Sequence, residues 1–263
     1  PISAVMHFAG LKSVANSQTD QAQYYSVNVG GSINLLQAMV SAGVTRLVFS
    51  SSATVYGHQA NPPYTEDHPL NPVNTYGQTK LAVERILNDL HSGVYPWSIG
   101  ILRYFNPVGA HPSGLLGDNP VGPPNNLFPH ITECIASSSK SINVFGGDYE
   151  TPDGTGIRDY IHVLDFIEAH MLTMNYLITN PGEQLTINLG TGRGISVLQV
   201  IEMFSKVSGK DIPYQILDRR TGDIDASWAS ADLAFKKLNW RASHSLEDMC
   251  RDSWTSQQKK LGK

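Results

Sequence analysis

Tyr76 and Lys80 stand four residues apart in Tyr76-Gly77-Gln78-Thr79-Lys80. On a helix, residues at that spacing share one face, stacked a turn apart. A cation held there stabilises a phenolate and draws the tyrosine pKa down from about 10 toward neutrality, where it acts as a base. Upstream lies Phe49-Ser50-Ser51-Ser52-Ala53-Thr54-Val55-Tyr56-Gly57. Three hydroxyls ahead of a helix bearing Tyr and Lys form a group suited to handling another hydroxyl. A first apolar run ends in His7-Phe8-Ala9-Gly10-Leu11-Lys12. Plainer readings stay open: a buried tyrosine beside a solvated lysine, a core histidine at 7, and serines that only end a strand.

These residues need elements to position them. Ile2–Phe8, Arg46–Ser51 and Trp97–Arg103 read as buried strands, and Gln21–Ala42 and Thr75–Leu90 as helices. Val27, Ile33, Leu36 and Met39 supply the apolar period of the first helix, and Gly43 is its C-cap. Strands alternating with helices of this length predict an α/β fold with a doubly wound, Rossmann-type parallel sheet. Ligands in such sheets bind beyond the carboxyl ends of the strands, where the serines fall. Pro107–Pro129 is rich in Pro, Gly and Asn and reads as a long functional loop. Shorter mixed elements follow: strands at 142–145, 185–189 and 214–217, and helices at 163–176, 197–207, 231–238 and 245–260. The expected division is residues 1–106 for the sheet domain and 107–263 for a smaller mixed α/β domain.

The composition is that of an ordinary soluble globular protein: 263 residues, 41% hydrophobic and 16% charged. A net charge of -4 gives no basic field, so a nucleic-acid partner is not expected. No apolar run is long enough to span a membrane. Two cysteines, Cys134 and Cys250, make no disulfide framework and point to a reducing cytoplasm. No metal-ligand cluster stands out.

Several longer blocks carry a specific resemblance. HFAGLKSV (7–14), SSSATVYG (50–57), the Tyr76–Lys80 pair, RYFNPVGAHPSG (103–114), PNNL (124–127), DGTGIRDYIHV (153–163) and RRTGD (219–223) occur in that order. Together they resemble the UDP-galactose (UDP-glucose) 4-epimerases of the extended short-chain dehydrogenase/reductase superfamily. The resemblance implies NAD as a retained cofactor and a UDP-hexose as substrate, epimerised at C4 through a 4-keto sugar, as in galactose metabolism. It makes Tyr76 the base, Lys80 the cation that lowers its pKa and holds the nicotinamide ribose, and Ser52 the partner of the 4-oxygen. Lys12, Asn28 and Tyr104 match cofactor-contacting positions. Asn106, Asn126, Leu127, Phe145, Arg158, Arg220 and Asp223 match the UDP-sugar site; arginines suit bidentate phosphate contact. Ser227 matches a position beside the sugar 2-substituent, where a small residue implies that N-acetylated sugars are accepted too. The two long helices resemble those that pair into a four-helix homodimer interface.

The family's glycine-rich phosphate-binding turn would lie upstream of Pro1, making the first strand here the fourth of a complete sheet. On that reading the chain as given neither retains NAD nor epimerises, and a non-catalytic remnant that binds UDP-sugars or partner subunits is the alternative. Gly190-Thr191-Gly192-Arg193-Gly194 looks like a dinucleotide fingerprint, but its third glycine is one position early. It is read as a tight strand-to-helix turn of the substrate domain. A 4,6-dehydratase on the same scaffold would carry Asp-Glu where this chain has Ala53-Thr54.

Overall fold

The computed structural model describes residues 2–58, 62–120, 122, 124, 126–137, 141–220 and 223–262. The chain divides into two compact units. The first comprises 1–105, 168–189 and 231–240; the second comprises 106–167, 190–230 and 241–263. Segments 168–189 and 231–240, grouped with the later residues by the contiguous division expected from sequence, thus pack in the first unit.

The first unit holds a four-stranded sheet in the order Val5–His7, Arg46–Ser50, Ser98–Tyr104, Gln184–Leu189. All three pairings are parallel. The central strands are apolar on both faces, with Leu47, Val48, Phe49, Ile99, Ile101 and Leu102 all buried. Such continuous runs are what a sheet covered by helices on both sides requires. One cover is the core formed by Leu36, Met39, Val83, Leu87 and Trp97 against Phe49 and Ile101. On the other face Gly100 lets a helix approach, since a Cβ there would lie 2.5 Å from the Thr173 methyl.

The helix predicted over Gln21–Ala42 is composite. Residues Gln21–Tyr24 and Gly31–Ser41 are α-helical, and Tyr25–Gly30 between them is a wider π-helical turn. Of its expected apolar face, Leu36 and Met39 are buried, whereas Val27 and Ile33 are more than one-third exposed. Asn28 of the wide turn faces inward; π-bulges often mark functional positions.

The second unit gathers three helices, Leu127–Ser137, Val197–Ser208 and Leu246–Lys260, around Phe128, Ile131, Val144, Phe204, Cys250 and Trp254. The last two helices start with capping boxes, Ser196 with Gln199 and Ser245 with Asp248. Three small sheets complete it. Ile142–Phe145 pairs with Tyr214–Leu217, and Asn106–Val108 with Tyr160–His162. Ala226–Ser227, Ile157–Arg158 and Ile195–Ser196 form the third. The long loop predicted over 107–129 is therefore not all loop: its start is a strand and its end a helix. Pro129 hid that helix, yet it sits in the first turn, where proline costs no hydrogen bond.

Candidate active site

The catalytic candidates of the first unit converge. Asn74 caps the Thr75–His91 helix, its side chain accepting from the Gly77 amide at 2.8 Å. Gly77 lets this helix start press on the serine segment; a Cβ there would lie 2.8 Å from the Thr54 carbonyl oxygen. Ser52 caps the short turn Ala53–Tyr56, its Oγ accepting from the Thr54 amide, and lies close enough to Tyr76 to act on its phenol. Tyr104, at the end of its strand, brings its hydroxyl within 3.3 Å of that of Tyr76. Lys80 donates to the Ser50 carbonyl at 2.8 Å, with Nζ 5.8 Å from the Tyr76 ring centroid.

The electrostatics depart from the simple expectation. Burial pushes the Tyr76 phenol well above its usual range, and Tyr104 adds to this, while Ser52 pulls the other way. Burial also lowers Lys80 to about 8, against the pull of Glu84. Desolvation governs Tyr76 here, and the Lys80 ammonium is directed at the Ser50 carbonyl rather than at the phenolic oxygen. Within the described contacts Lys80 donates one hydrogen bond. An ammonium carries three donors, so its set suits an added ligand rich in hydroxyls.

Asn28 clamps a neighbouring turn. Its carbonyl accepts from the Leu11 amide at 2.7 Å, and its amide donates to Leu11 O and to Thr79 Oγ1. This ties the turn carrying the exposed Lys12 to the catalytic helix. Asn28 thus acts on the described contacts as a brace, with its polar atoms on protein partners.

In the second unit two small groups form. Arg220 lies with its guanidinium 3.7 Å from the Phe145 ring centroid. Arg158 pairs loosely with Asp223 at 3.7 Å, and its strand partner is Ser227. Asn126 donates to Asp118 instead, at the start of the helix that opens with Leu127. Asn106 is exposed, its backbone amide bound to the Asp159 carbonyl.

Asp159 itself has no role in the sequence reading, though it lies inside a quoted block. It is fully buried. Its carboxyl accepts from Thr191 N and Oγ1 at 2.8 and 2.7 Å, and from Gly192 N and Ala229 N at 3.1 Å each. Burial pushes this carboxyl up and the four donors oppose it; only the carboxylate offers acceptors to all four. The turn that imitates a phosphate-binding loop thus has its amides satisfied by an internal anion.

Residues 1–190 match the NAD dependent epimerase/dehydratase family. The UDP-glucose 4-epimerase of Bacillus subtilis (strain 168) is 50% identical over 253 residues, covering 96% of this chain and 74% of that relative. The chain belongs to the UDP-glucose 4-epimerases. Among solved structures, a UDP-glucose 4-epimerase from Stenotrophomonas maltophila with bound NAD and formylated UDP-arabinopyranose is similar over 99% of this chain and 77% of its own. It has a TM-score of 0.96 and 49% identity. The epimerase from Bifidobacterium longum, in complex with NAD+ and UDP, has a TM-score of 0.94 and 45% identity over 99% of this chain and 77% of its own. The epimerase fold, enzyme class and NAD dependence expected from the sequence are those of this family. Membership favours epimerisation over a non-catalytic remnant, and no carboxylate stands at Ala53 or Thr54 to support dehydration.

Proposed function

We propose that the chain interconverts UDP-glucose and UDP-galactose, with Tyr76 as the proton-transfer residue. The observation that carries this reading is the meeting of Tyr76, Ser52 and Tyr104 hydroxyls beside the Lys80 ammonium. NAD, when bound, supplies a hydride acceptor that takes the C4 hydrogen and returns it to the opposite face, so no net oxidation results. Lys80, with donors to spare, and Tyr104 would hold its nicotinamide end, and Lys12 lies on the turn braced by Asn28. With the site loaded, Tyr76 would first release its own proton to solvent; as the phenolate it takes the proton of the 4-hydroxyl, and as the phenol so formed it gives that proton back. Ser52 holds the 4-oxygen through both transfers. The Lys80 charge would stabilise that phenolate before it takes the proton.

UDP is the ligand we assign to the second unit. Arg158 and Arg220 would meet the phosphates, Asp223 a ribose hydroxyl, and Phe145 the uracil. Asn106, Asn126 and Leu127 would face the pyrophosphate and sugar. The long Arg158–Asp223 separation leaves guanidinium donors for a phosphate. A coupled assay that follows UDP-galactose conversion to UDP-glucose in NAD-loaded protein tests the whole reading; no conversion would sink it.

Substrate range rests on Ser227, which is 7% exposed and pairs with Arg158 across the strands. A hydroxymethyl leaves room for an acetamido group that a phenol ring would fill. The protein is expected to act on UDP-GlcNAc and UDP-GalNAc as well. In Ser227→Tyr, kcat/KM for the N-acetylated pair should fall roughly 10–200-fold relative to the plain hexoses, as for a filled apolar pocket. Equal loss on both pairs would remove Ser227 from the sugar site.

A homodimer is our reading of the first unit's surface. Ile33, Leu36 and Val40 of the Gly31–Ser41 helix and Ile86 and Leu90 of the Thr75–His91 helix line an apolar groove. Ile33 and Val40 are 38% and 40% exposed. A second copy offering the same two helices would cover these apolar side chains and complete a four-helix layer. Ile33→Asp with Val40→Asp should turn a sedimenting dimer into a monomer. A wild-type monomer at micromolar concentration would overturn the proposal. No described helix is long and apolar enough to cross a membrane. Cys134 and Cys250 are free, buried thiols, which fits the reducing cytoplasm we assign.

A further inference from the structure

Glu84 lies one turn beyond Lys80 and two beyond Tyr76, so the three share a helix face. Each meets one of three consecutive serines. Lys80 donates to the Ser50 carbonyl, Glu84 Oε1 accepts from the Ser51 hydroxyl, and Tyr76 lies beside Ser52, whose hydroxyl acts on its phenol. Glu84 and Ser51 are 1% and 0% exposed. A carboxylate so buried needs a counter-ion, and Arg103 supplies it. Its Nη2 lies 2.8 Å from Glu84 Oε2 and its Nε bonds both oxygens. Arg103 also donates to Tyr56 OH at 3.1 Å and to the Glu66 carbonyl at 3.0 Å. The next residue in its strand is Tyr104, which touches Tyr76.

We propose that Glu84 is a positioning residue of the epimerase: with Arg103 as counter-ion it locks Ser51, and so sets the serine segment in register with the Tyr76–Lys80 face. The inference rests on the reading of Tyr76, Lys80 and Ser52 as the reacting group. The segment packs on the helix around Gly77 and its backbone is held to the sheet by Ser51 N donating to the Leu102 carbonyl at 2.8 Å, while the Ser51 side chain is held to the helix by Glu84. Losing the Ser51–Glu84 bond lets Ser52 shift against Tyr76, and displacements near 1 Å cost about a hundredfold in rate. Glu84 also acts through charge. It holds the Lys80 ammonium up against burial. The other groups facing Lys80 are Tyr76 on its own helix, His7 from the first strand, and the Phe49 ring and Ser50 carbonyl from the second.

The test compares Glu84→Gln, Ser51→Ala and the double variant Glu84→Leu/Arg103→Leu with Tyr76→Phe. Thermal unfolding, kcat and KM are followed, together with an NMR titration of 13C-labelled Lys80. Glu84→Gln should lower kcat roughly 10–100-fold with KM for UDP-galactose within twofold, and move the Lys80 midpoint below its value of about 8. Should Glu84→Gln not fold, because it strands a buried guanidinium, the double variant decides: it removes both charges and regains stability. It should unfold near the wild-type temperature yet keep the kcat loss, and Ser51→Ala should share that loss. Wild-type kcat in the stable double variant and in Ser51→Ala overturns the proposal, as does an unmoved Lys80 midpoint in folded Glu84→Gln. Full turnover in Tyr76→Phe would instead sink the underlying site assignment.

Discussion

Tyr76→Phe is expected to lower epimerisation by roughly 10²–10⁴-fold, the usual worth of a positioned acid–base group. The substitution takes away one oxygen. Its partners, Ser52 and Tyr104, keep other contacts, since Ser52 Oγ lies 3.0 Å from Thr54 Oγ1 and accepts from the Thr54 amide. Stability should therefore change by no more than about 1.5 kcal/mol, the net value of one hydrogen bond. UDP affinity should stay at the wild-type value, because every residue assigned to UDP lies in the second unit. Kinetics and calorimetric UDP binding on the same NAD-loaded preparation separate these outcomes. Loss of UDP binding together with turnover would mean that Tyr76 is structural.

Asp159→Asn should be the most destabilising single change in the second unit. The carboxylate satisfies three backbone amides and one hydroxyl at once. An asparagine amide offers one acceptor oxygen and turns an NH2 group toward N–H donors. Buried donors without partners cost about 1–3 kcal/mol each, so a loss of about 3–5 kcal/mol is expected. The damage would spread to function, because Asp159 adjoins Arg158 and binds the amide of Ala229, two residues past Ser227. A urea midpoint equal to wild type would show that Asp159 is dispensable. In a partly stable preparation, UDP affinity should weaken while the Tyr76 neighbourhood keeps its hydrogen-exchange protection.

Much of the fold was legible because its elements are long and periodic. The strands around 46–50 and 98–104 and the helix from Thr75 show up as apolar runs and a capped helical period. What escaped was short or depended on distant partners. The strands Ile157–Arg158, Ile195–Ser196 and Ala226–Ser227 are two residues each, too brief for any period, and exist by pairing. The π-helical turn at Tyr25–Gly30 has no pattern that separates it from α-helix, yet it turns Asn28 inward. Among site residues, Tyr76 and Lys80 carry a local signal. Glu84 carries one as well, a carboxylate at the next helical step, while Arg103 and Asp159 gain meaning only once the fold brings their partners to them. The direction of the Tyr76 shift was illegible for the same reason: spacing records the charge and not the desolvation.

The Gln184–Leu189 strand, which closes the parallel sheet beside Ser98–Tyr104, is made eighty residues after that partner ends. At ribosomal speeds of about 5–20 residues per second the gap is roughly 4–16 s. During that interval a strand that is buried along nearly its whole length in the folded sheet has one hydrogen-bonding edge bare. The second unit's early segments emerge meanwhile, without the residues beyond 190 that complete their own core. Neither unit can finish by folding in chain order. The interleaved connectivity therefore makes a nascent chain halted between residues 105 and 184 a natural client for holdase chaperones.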